Sequence, residues 1–210
     1  YILPGTGRDY VTLGASEDPV FETGMDVRYG LTSNLTLDVS YNTDFAQVEG
    51  DQEQVNLSQF QLFFPEKREF FLEGSNLFDF GEAAETRGGD DKPPTILFYS
   101  RRIGVDNKRQ GTILLGTKLT GKAGRTSIGA LNVLTNDAQF SDPGGITTVP
   151  KSNYSVLRVK QDVLGSSNLG FIFVNKMTDS PGKNAYNRAA GVDFSYSPTA
   201  AFNVQGFAAR

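Results

Sequence analysis

The side chains of this chain that could carry out chemistry are carboxylates and basic groups, because its 210 residues include no histidine and no cysteine. This composition removes the commonest general base, the usual zinc ligand and every Ser-His or Cys-His nucleophile pair. Glu66, Glu69 and Glu73, close to Lys67 and Arg68, could supply paired carboxylates for glycoside hydrolysis. Their spacings are equally those of neighbours on a helix, where ion pairing and capping are the usual roles. We therefore expect no catalysis, no metal and no cofactor in this chain.

Two adjacent arginines, Arg101 and Arg102, lie in a segment, residues 95–104, for which the apolar residues predict a strand. Neighbouring residues of a strand point to opposite faces, so at most one of these arginines can line an interior. We expect that arginine to pair with one of the three glutamates and to tether the segment that carries them. Binding of an anionic sugar by the arginines is the alternative.

A second acidic group consists of Asp44, Glu49, Asp51 and Glu53. Calcium prefers several oxygen ligands, so a weak site could form there. A solvated acidic loop or rim is the interpretation that we favour. The net charge of −4 gives no basic surface for phosphate neutralisation, so we expect no nucleic-acid partner.

The elements around these groups are predicted by a strict alternation of apolar and polar residues in two runs, 20–31 and 35–45, joined by a tight turn. Side chains alternate with period two in a strand, so one face of this hairpin is apolar. Strands of about ten residues with aromatics near their ends are typical of a transmembrane β-barrel. Strands of a soluble sandwich alternate in the same way but usually have about five or six residues. The polar face carries Asp26, Arg28, Asp38 and Asp44.

The rest of the chain extends this pattern to about ten strands. A third apolar run covers residues 55–64, and a short helix at 65–74 with a loop to residue 94 interrupts the strands. Further strands are predicted at 95–104, 111–121, 126–135, 154–164, 168–177, 189–197 and 201–209. Short turns alternate with longer connections at 136–152 and 178–187, as in an outer-membrane meander. The fold class is therefore all-β, an antiparallel meander forming an incomplete transmembrane barrel with one inserted helix and loop at 65–94.

Several stretches of the chain resemble an uncharacterised bacterial family. They are residues 26–38, 42–49, 51–57 and 155–164, with Phe63-Phe64-Pro65-Glu66-Lys67-Arg68-Glu69-Phe70-Phe71-Leu72-Glu73-Gly74 and Phe98-Tyr99-Ser100-Arg101-Arg102-Ile103-Gly104. The chain is similar to domain-of-unknown-function family 5916, found C-terminal to a domain like carbohydrate-binding module family nine. The resemblance implies an outer-membrane barrel whose sugar-binding module lies upstream of this fragment. It implies no reaction and no catalytic residues.

We therefore expect residues 1–210 to be one barrel domain fragment of the bacterial outer membrane, acting as a channel, receptor or surface scaffold associated with carbohydrate. Its partners would be membrane lipid and, through the upstream module, an oligo- or polysaccharide. A soluble sandwich that binds polysaccharide, or part of a glycan hydrolase, is the alternative. Val39→Arg should cost about 2–4 kcal/mol in a lipid-facing strand, and Asp38→Asn far less. The residues expected to line the lumen or a constriction at 65–94 are Asp26, Arg28, Asp38, Asp44, Glu66, Arg68, Glu69, Glu73, Arg101 and Arg102.

Overall fold

The computed structural model describes residues 2–6, 19–43, 65–81, 95–106, 109–110, 112–142, 145–180, 183–199 and 201–210. Its strands are β1 (Ile2–Thr6), β2 (Pro19–Thr23), β3 (Met25–Thr32), β4 (Leu35–Thr43), β5 (Val105–Asp106), β6 (Arg109–Gln110), β7 (Ile113–Ala123), β8 (Thr126–Thr135), β9 (Ala138–Asp142), β10 (Gly145–Val149), β11 (Ser152–Val163), β12 (Ser167–Ser180), β13 (Lys183–Thr199) and β14 (Phe202–Ala209). The helical elements are α1 (Glu69–Leu72) and two 3-10 turns, Ser75–Phe78 and Ser100–Arg102. None of the described helices is long and apolar enough to cross a membrane.

One large antiparallel sheet dominates the molecule. Its eight strands follow the order β3-β4-β7-β8-β11-β12-β13-β14, and three two-stranded ribbons (β1 with β2, β5 with β6, β9 with β10) lie outside it. The predicted all-β antiparallel meander is confirmed. Among the described strands β3 and β14 do not pair, so the sheet is open at these two edges.

Some predicted elements differ from the structure. The strand expected at 95–104 is wrong, because this segment leaves the sheet, forms the 3-10 turn Ser100–Arg102 and buries Ile103 in the core. The connections expected at 136–152 and 178–187 contain the β9 and β10 ribbon and the extended ends of β12 and β13. The helix predicted at 65–74 spans only α1, because the Glu66 carboxylate accepts the backbone N–H groups of Lys67 and Arg68 before it. The third apolar run, 55–64, lies outside the described residues.

The two faces of the sheet have different surroundings. The insertion, by which we mean residues 65–81 and 95–104, packs on one face, which we call the covered face. Three insertion rings lie over strand glycines: an added Cβ would be 2.9 Å from Phe70 at Gly116, 3.1 Å from Phe78 at Gly129 and 2.6 Å from Phe80 at Gly191. The core between the insertion and the sheet contains Phe70, Phe71, Phe78, Phe80, Ile103, Ile113, Leu131, Val133, Val156 and Ile172. We call the opposite face the uncovered face.

The strands are staggered in one direction. One row of cross-strand partners contains Leu35, Gly121, Ile128, Val159, Phe171, Val192 and Ala208. Leu35 directly follows its turn, whereas Val192 lies well inside β13, so the turns step by about one residue per strand. With a rise of about 3.3 Å and a strand separation of about 4.8 Å, the strands tilt by about 35–40° from the normal to the line of turns.

Candidate functional site

Lys118 joins the insertion to the sheet at the centre of the covered face. It lies on β7, and its side chain is only 2% exposed. Its Nζ donates to the carbonyl oxygens of Phe70, at 2.6 Å, and Glu73, at 2.9 Å. These are carbonyls at the end of α1 that lack a partner within so short a helix.

Asp38 on β4 lies between two cations. Its Oδ1 accepts a hydrogen bond from Arg28 Nε at 2.7 Å, and its Oδ2 is 3.3 Å from Lys118 Nζ. Arg28 Nη2 in turn contacts the carboxylate of Glu73 in the insertion. Three of the residues predicted as interior, Arg28, Asp38 and Glu73, therefore meet in one charged cluster with Lys118.

A second cluster joins the two parts of the insertion. The buried Arg68 donates from Nε and Nη2 to the two carboxylate oxygens of Glu66, each at 2.9 Å. It also donates to the carbonyls of Ile103, at 2.9 Å, and Ser100, at 2.7 Å. The Ser100 hydroxyl donates to Glu66 at 2.6 Å. Burial alone would raise the pKa of Glu66, but the hydrogen bonds and charge of Arg68 outweigh it and hold that pKa below its ordinary value.

A third contact fastens the far end of residues 65–81. Arg158 on β11 holds Asp193 on β13 by two hydrogen bonds of 2.6 Å, with both side chains less than 5% exposed. Asp193 Oδ2 also accepts the backbone N–H of Gly81 at 3.2 Å. The Arg158 guanidinium lies 5.8 Å from the centre of the Phe80 ring. A paired and hydrogen-bonded arrangement of this kind is what a buried charge requires.

The other predicted residues lie around these contacts. Arg101 Nη1 donates to the carbonyl of Pro65 at 2.6 Å, so this arginine reaches the start of the insertion. Asp26, Glu69 and Arg102 are exposed. Asp44, with the rest of its acidic group, lies outside the described residues. Within the described ranges, no three carboxylates gather where they could hold a metal ion.

A cavity of about 200 Å³ lies between the insertion and strands β7 and β8. Its apolar walls include Phe71, Phe78, Phe98, Tyr99 and Leu131. The polar side chains of Glu66, Ser100 and Lys118 also line the cavity, but they already form the hydrogen bonds described above. These side chains hold the insertion in place, and the cavity is small beside the usual ligand site of roughly 300–1,000 Å³.

The uncovered face is apolar over most of its area. The short turns of the large sheet join β3 to β4, β7 to β8, β11 to β12 and β13 to β14. Heights on the sheet are counted in residues from these turns, and Ser155 and Asn175 lie at about the same height. Between the turns and this level, the described strand positions on this face carry no charged side chain. The large side chains exposed there include Met25, Val27, Tyr29, Leu31, Tyr41, Leu115, Leu157, Leu169, Phe171, Val192, Phe194, Tyr196, Phe202 and Val204. Beyond this level the face becomes polar.

Comparison with known families gives one match. The family model described as "Domain of unknown function (DUF5916)" matches residues 9–209. The chain belongs to this family. No curated protein and no solved structure matches it.

Three of the side chains that hold the insertion of this DUF5916 domain were missed as site residues in the sequence: Lys118, Arg158 and Asp193. The alternation of apolar and polar residues does indicate their orientation. Between the short turns and the level of Ser155 and Asn175, the charged residues of the large sheet occupy the polar positions of the alternation, which lie on the covered face. The alternation does not indicate which residues these three side chains contact. Lys118 contacts residues 45 and 48 positions away, a separation that no local pattern encodes.

Proposed function

We propose that this DUF5916 domain is part of the wall of an outer-membrane β-barrel and that the insertion fills the interior beside it. The observation that carries the proposal is the uncovered face, a broad apolar surface without charges in the described strands. Large apolar side chains are exposed on this face along most strands of the large sheet, whereas a soluble monomer rarely exposes a contiguous apolar patch of more than a few hundred Å². Exposure of this surface to water is unfavourable, whereas its contact with the hydrocarbon of a membrane is not. The apolar uncovered face therefore favours the membrane barrel over the soluble sandwich.

The dimensions of the apolar surface support the same proposal. The band from the short turns to the level of Ser155 and Asn175 is about nine or ten residues deep along the strands, about 25 Å at the tilt derived above. An outer-membrane barrel has an outward apolar band of about that height and strands tilted by roughly 35–45°. The open edges β3 and β14 would have to be paired within such a barrel, because unpaired backbone groups are not tolerated in hydrocarbon.

The packing of the insertion favours a receptor or scaffold over an open channel. A wide aqueous channel needs a polar, hydrated interior. Here the covered face is instead filled by the rings of Phe70, Phe78 and Phe80 and by paired charges. We propose that the barrel anchors a sugar-binding module at the surface, an assignment that rests on the family resemblance and on no residue of this chain.

Membrane insertion is tested by refolding the full chain with liposomes and separating bound from free protein by density-gradient flotation. The protein should float with the lipid, resist extraction by urea and migrate anomalously on a gel when unheated. Val39→Arg should weaken insertion, whereas Thr36→Arg, which places the same charge on the covered face of β4, should not. Protein that stays in the aqueous fraction would contradict the proposal.

The role of the insertion is tested by conductance in planar bilayers. The intact protein should conduct poorly, and deletion of residues 67–74 should raise the single-channel conductance. Unchanged conductance from a folded, heat-modifiable deletion variant would mean that the segment lies outside any permeation path.

A further inference from the structure

A groove of about 490 Å³ opens on the uncovered face at the end away from the short turns. We infer that it binds the phosphate-bearing headgroup of a membrane lipid, an inference that rests on the proposed function. The residues that line it include Leu134, Lys151, Met177, Asp179, Tyr186 and Arg188.

Two exposed cations at the groove are available to an anion. Within the part of the chain that the structure describes, neither the Lys151 ammonium nor the Arg188 terminal nitrogens have a protein partner. Arg188 is nevertheless held in place: its Nε donates to Asn175 Oδ1 at 2.9 Å, and its guanidinium lies 4.7 Å from the centre of the Tyr186 ring. Because the planar guanidinium of Arg188 is fixed through Nε, its two terminal nitrogens can each donate a hydrogen bond to a phosphate. Asp179 is the one carboxylate among the lining residues, so the groove keeps a net positive charge.

The groove lies where a headgroup would lie. Arg188 pairs with Asn175 across the strands. Counted from its own short turn, however, Arg188 is about two residues, or about 5 Å, farther along its strand than Asn175, which places it within the headgroup layer of a bilayer. Next to it, Asn132 and Asn153 exchange hydrogen bonds of 3.1 and 3.2 Å on the same face, which marks the change from apolar to polar surface. Leu134 and Met177 supply apolar side chains to the wall of the groove. A lipid could therefore place its acyl chains on the band and its phosphate between the cations, which favours a lipid over a free anion.

The test uses the full chain in non-ionic detergent micelles, titrated with dihexanoyl phosphatidic acid and read by native mass spectrometry. Dihexanoylglycerol has the same acyl chains without the phosphate, and inorganic phosphate has the charge without the chains. The wild type should bind phosphatidic acid about tenfold more tightly than either probe, because bonds to two charged groups contribute to that complex alone. The double variant Lys151→Ala, Arg188→Ala should lose this preference.

The matched control is Lys122→Ala, Arg125→Ala, which removes two cations beside the short β7–β8 turn and should keep the preference. Equal affinity of the wild type and the Lys151 and Arg188 variant would overturn the inference. Inorganic phosphate bound as tightly as phosphatidic acid would overturn it as well. Flotation separates the two proposals: variants that float normally and bind the lipid like the wild type refute only the headgroup site, whereas a wild type that does not float refutes the membrane assignment.

Discussion

At the residue scale, Lys118 is the side chain on which attachment of the insertion depends most directly. It satisfies two carbonyls of the insertion and neutralises Asp38 at the same time. Its stem also lies by the Phe70 ring, with Nζ 5.2 Å from the ring centre. Removal of one member of such a buried group leaves its partners unsatisfied, which is more costly than loss of the pair itself.

Lys118→Met should therefore lower the free energy of unfolding by about 3 kcal/mol. Lys122→Met is the matched control, since Lys122 lies on the same face of the same strand but is about half exposed, and its ion-pair partner among the described residues is Asp162. Its cost should be at most about 1 kcal/mol. Urea unfolding measures both, and chymotrypsin cleavage at Phe70 and Phe71 reports release of the insertion. Equal costs for the two variants would show that Lys118 does not hold the insertion.

Glu66 should make the insertion sensitive to acid. Because its pKa is lowered in the folded protein, its pairing with Arg68 and Ser100 stabilises the fold above the ordinary glutamate pKa of about 4.3 and is lost as the pH falls through the lowered value. Protease protection of the insertion should fall over that range. Glu66→Gln should be less protected at neutral pH and should lack this component of the pH dependence. An identical pH profile for the two proteins would exclude Glu66 as its source.

Asp38 shows what the sequence could and could not predict about a site residue. The alternation in β4 correctly separates it from Val39, because the period of a strand is a local property. The expectation that Asp38→Asn would be mild assumed water around the carboxylate. Asp38 is instead 6% exposed and lies between Arg28 and Lys118, so we now expect that substitution to be costly.

At the scale of elements, the insertion is positioned by the fit of its aromatic rings to strand glycines. Gly116, Gly129 and Gly191 leave the backbone bare under Phe70, Phe78 and Phe80. The three glycines lie on β7, β8 and β13, so the contact extends across much of the sheet. Side chains in a close-packed interior tolerate little added volume.

Gly129→Val should displace Phe78 and destabilise the insertion by about 1–3 kcal/mol. Ala130→Val is its control, because the neighbouring residue is on the uncovered face, away from Phe78. Hydrogen exchange of the backbone amides in Ser75–Phe78 should speed up in the first variant alone. Similar exchange in both variants would mean that the ring does not depend on the glycine.

The strand expected at 95–104 shows where sequence reasoning about elements fails. Its apolar and aromatic residues, such as Leu97 and Phe98, match a buried strand, and short apolar runs of this kind do not identify the element that contains them. Here they pack against the core from the insertion side. By contrast, β8 was predicted with its correct bounds, since its turn residues and length are local features.

At the scale of the whole molecule, the two faces of the sheet have opposite requirements. The covered face carries the charges and satisfies them through the insertion, whereas the uncovered face is apolar and has no protein against it among the described residues. The sequence predicted this division, because alternation persists along most strands. It also predicted that the segment beginning at residue 65 would fold inward, but not the contacts of Lys118 that hold this segment, since they join distant residues.

The most direct test of the account compares two phenylalanines of the β13 and β14 hairpin. Phe194 and Phe207 are 44% and 46% exposed, but Phe194 lies on the uncovered face and Phe207 packs edge-to-face on Phe80, 5.8 Å between ring centres. The chain contains no tryptophan, so Phe194→Trp and Phe207→Trp each introduce a single tryptophan, which can be excited selectively over the tyrosines. In vesicles of lipid brominated on its acyl chains, the tryptophan at position 194 should be strongly quenched, and the one at position 207 should emit as it does in unbrominated lipid. Equal quenching at both positions, or quenching at neither, would contradict the assignment of the uncovered face to lipid.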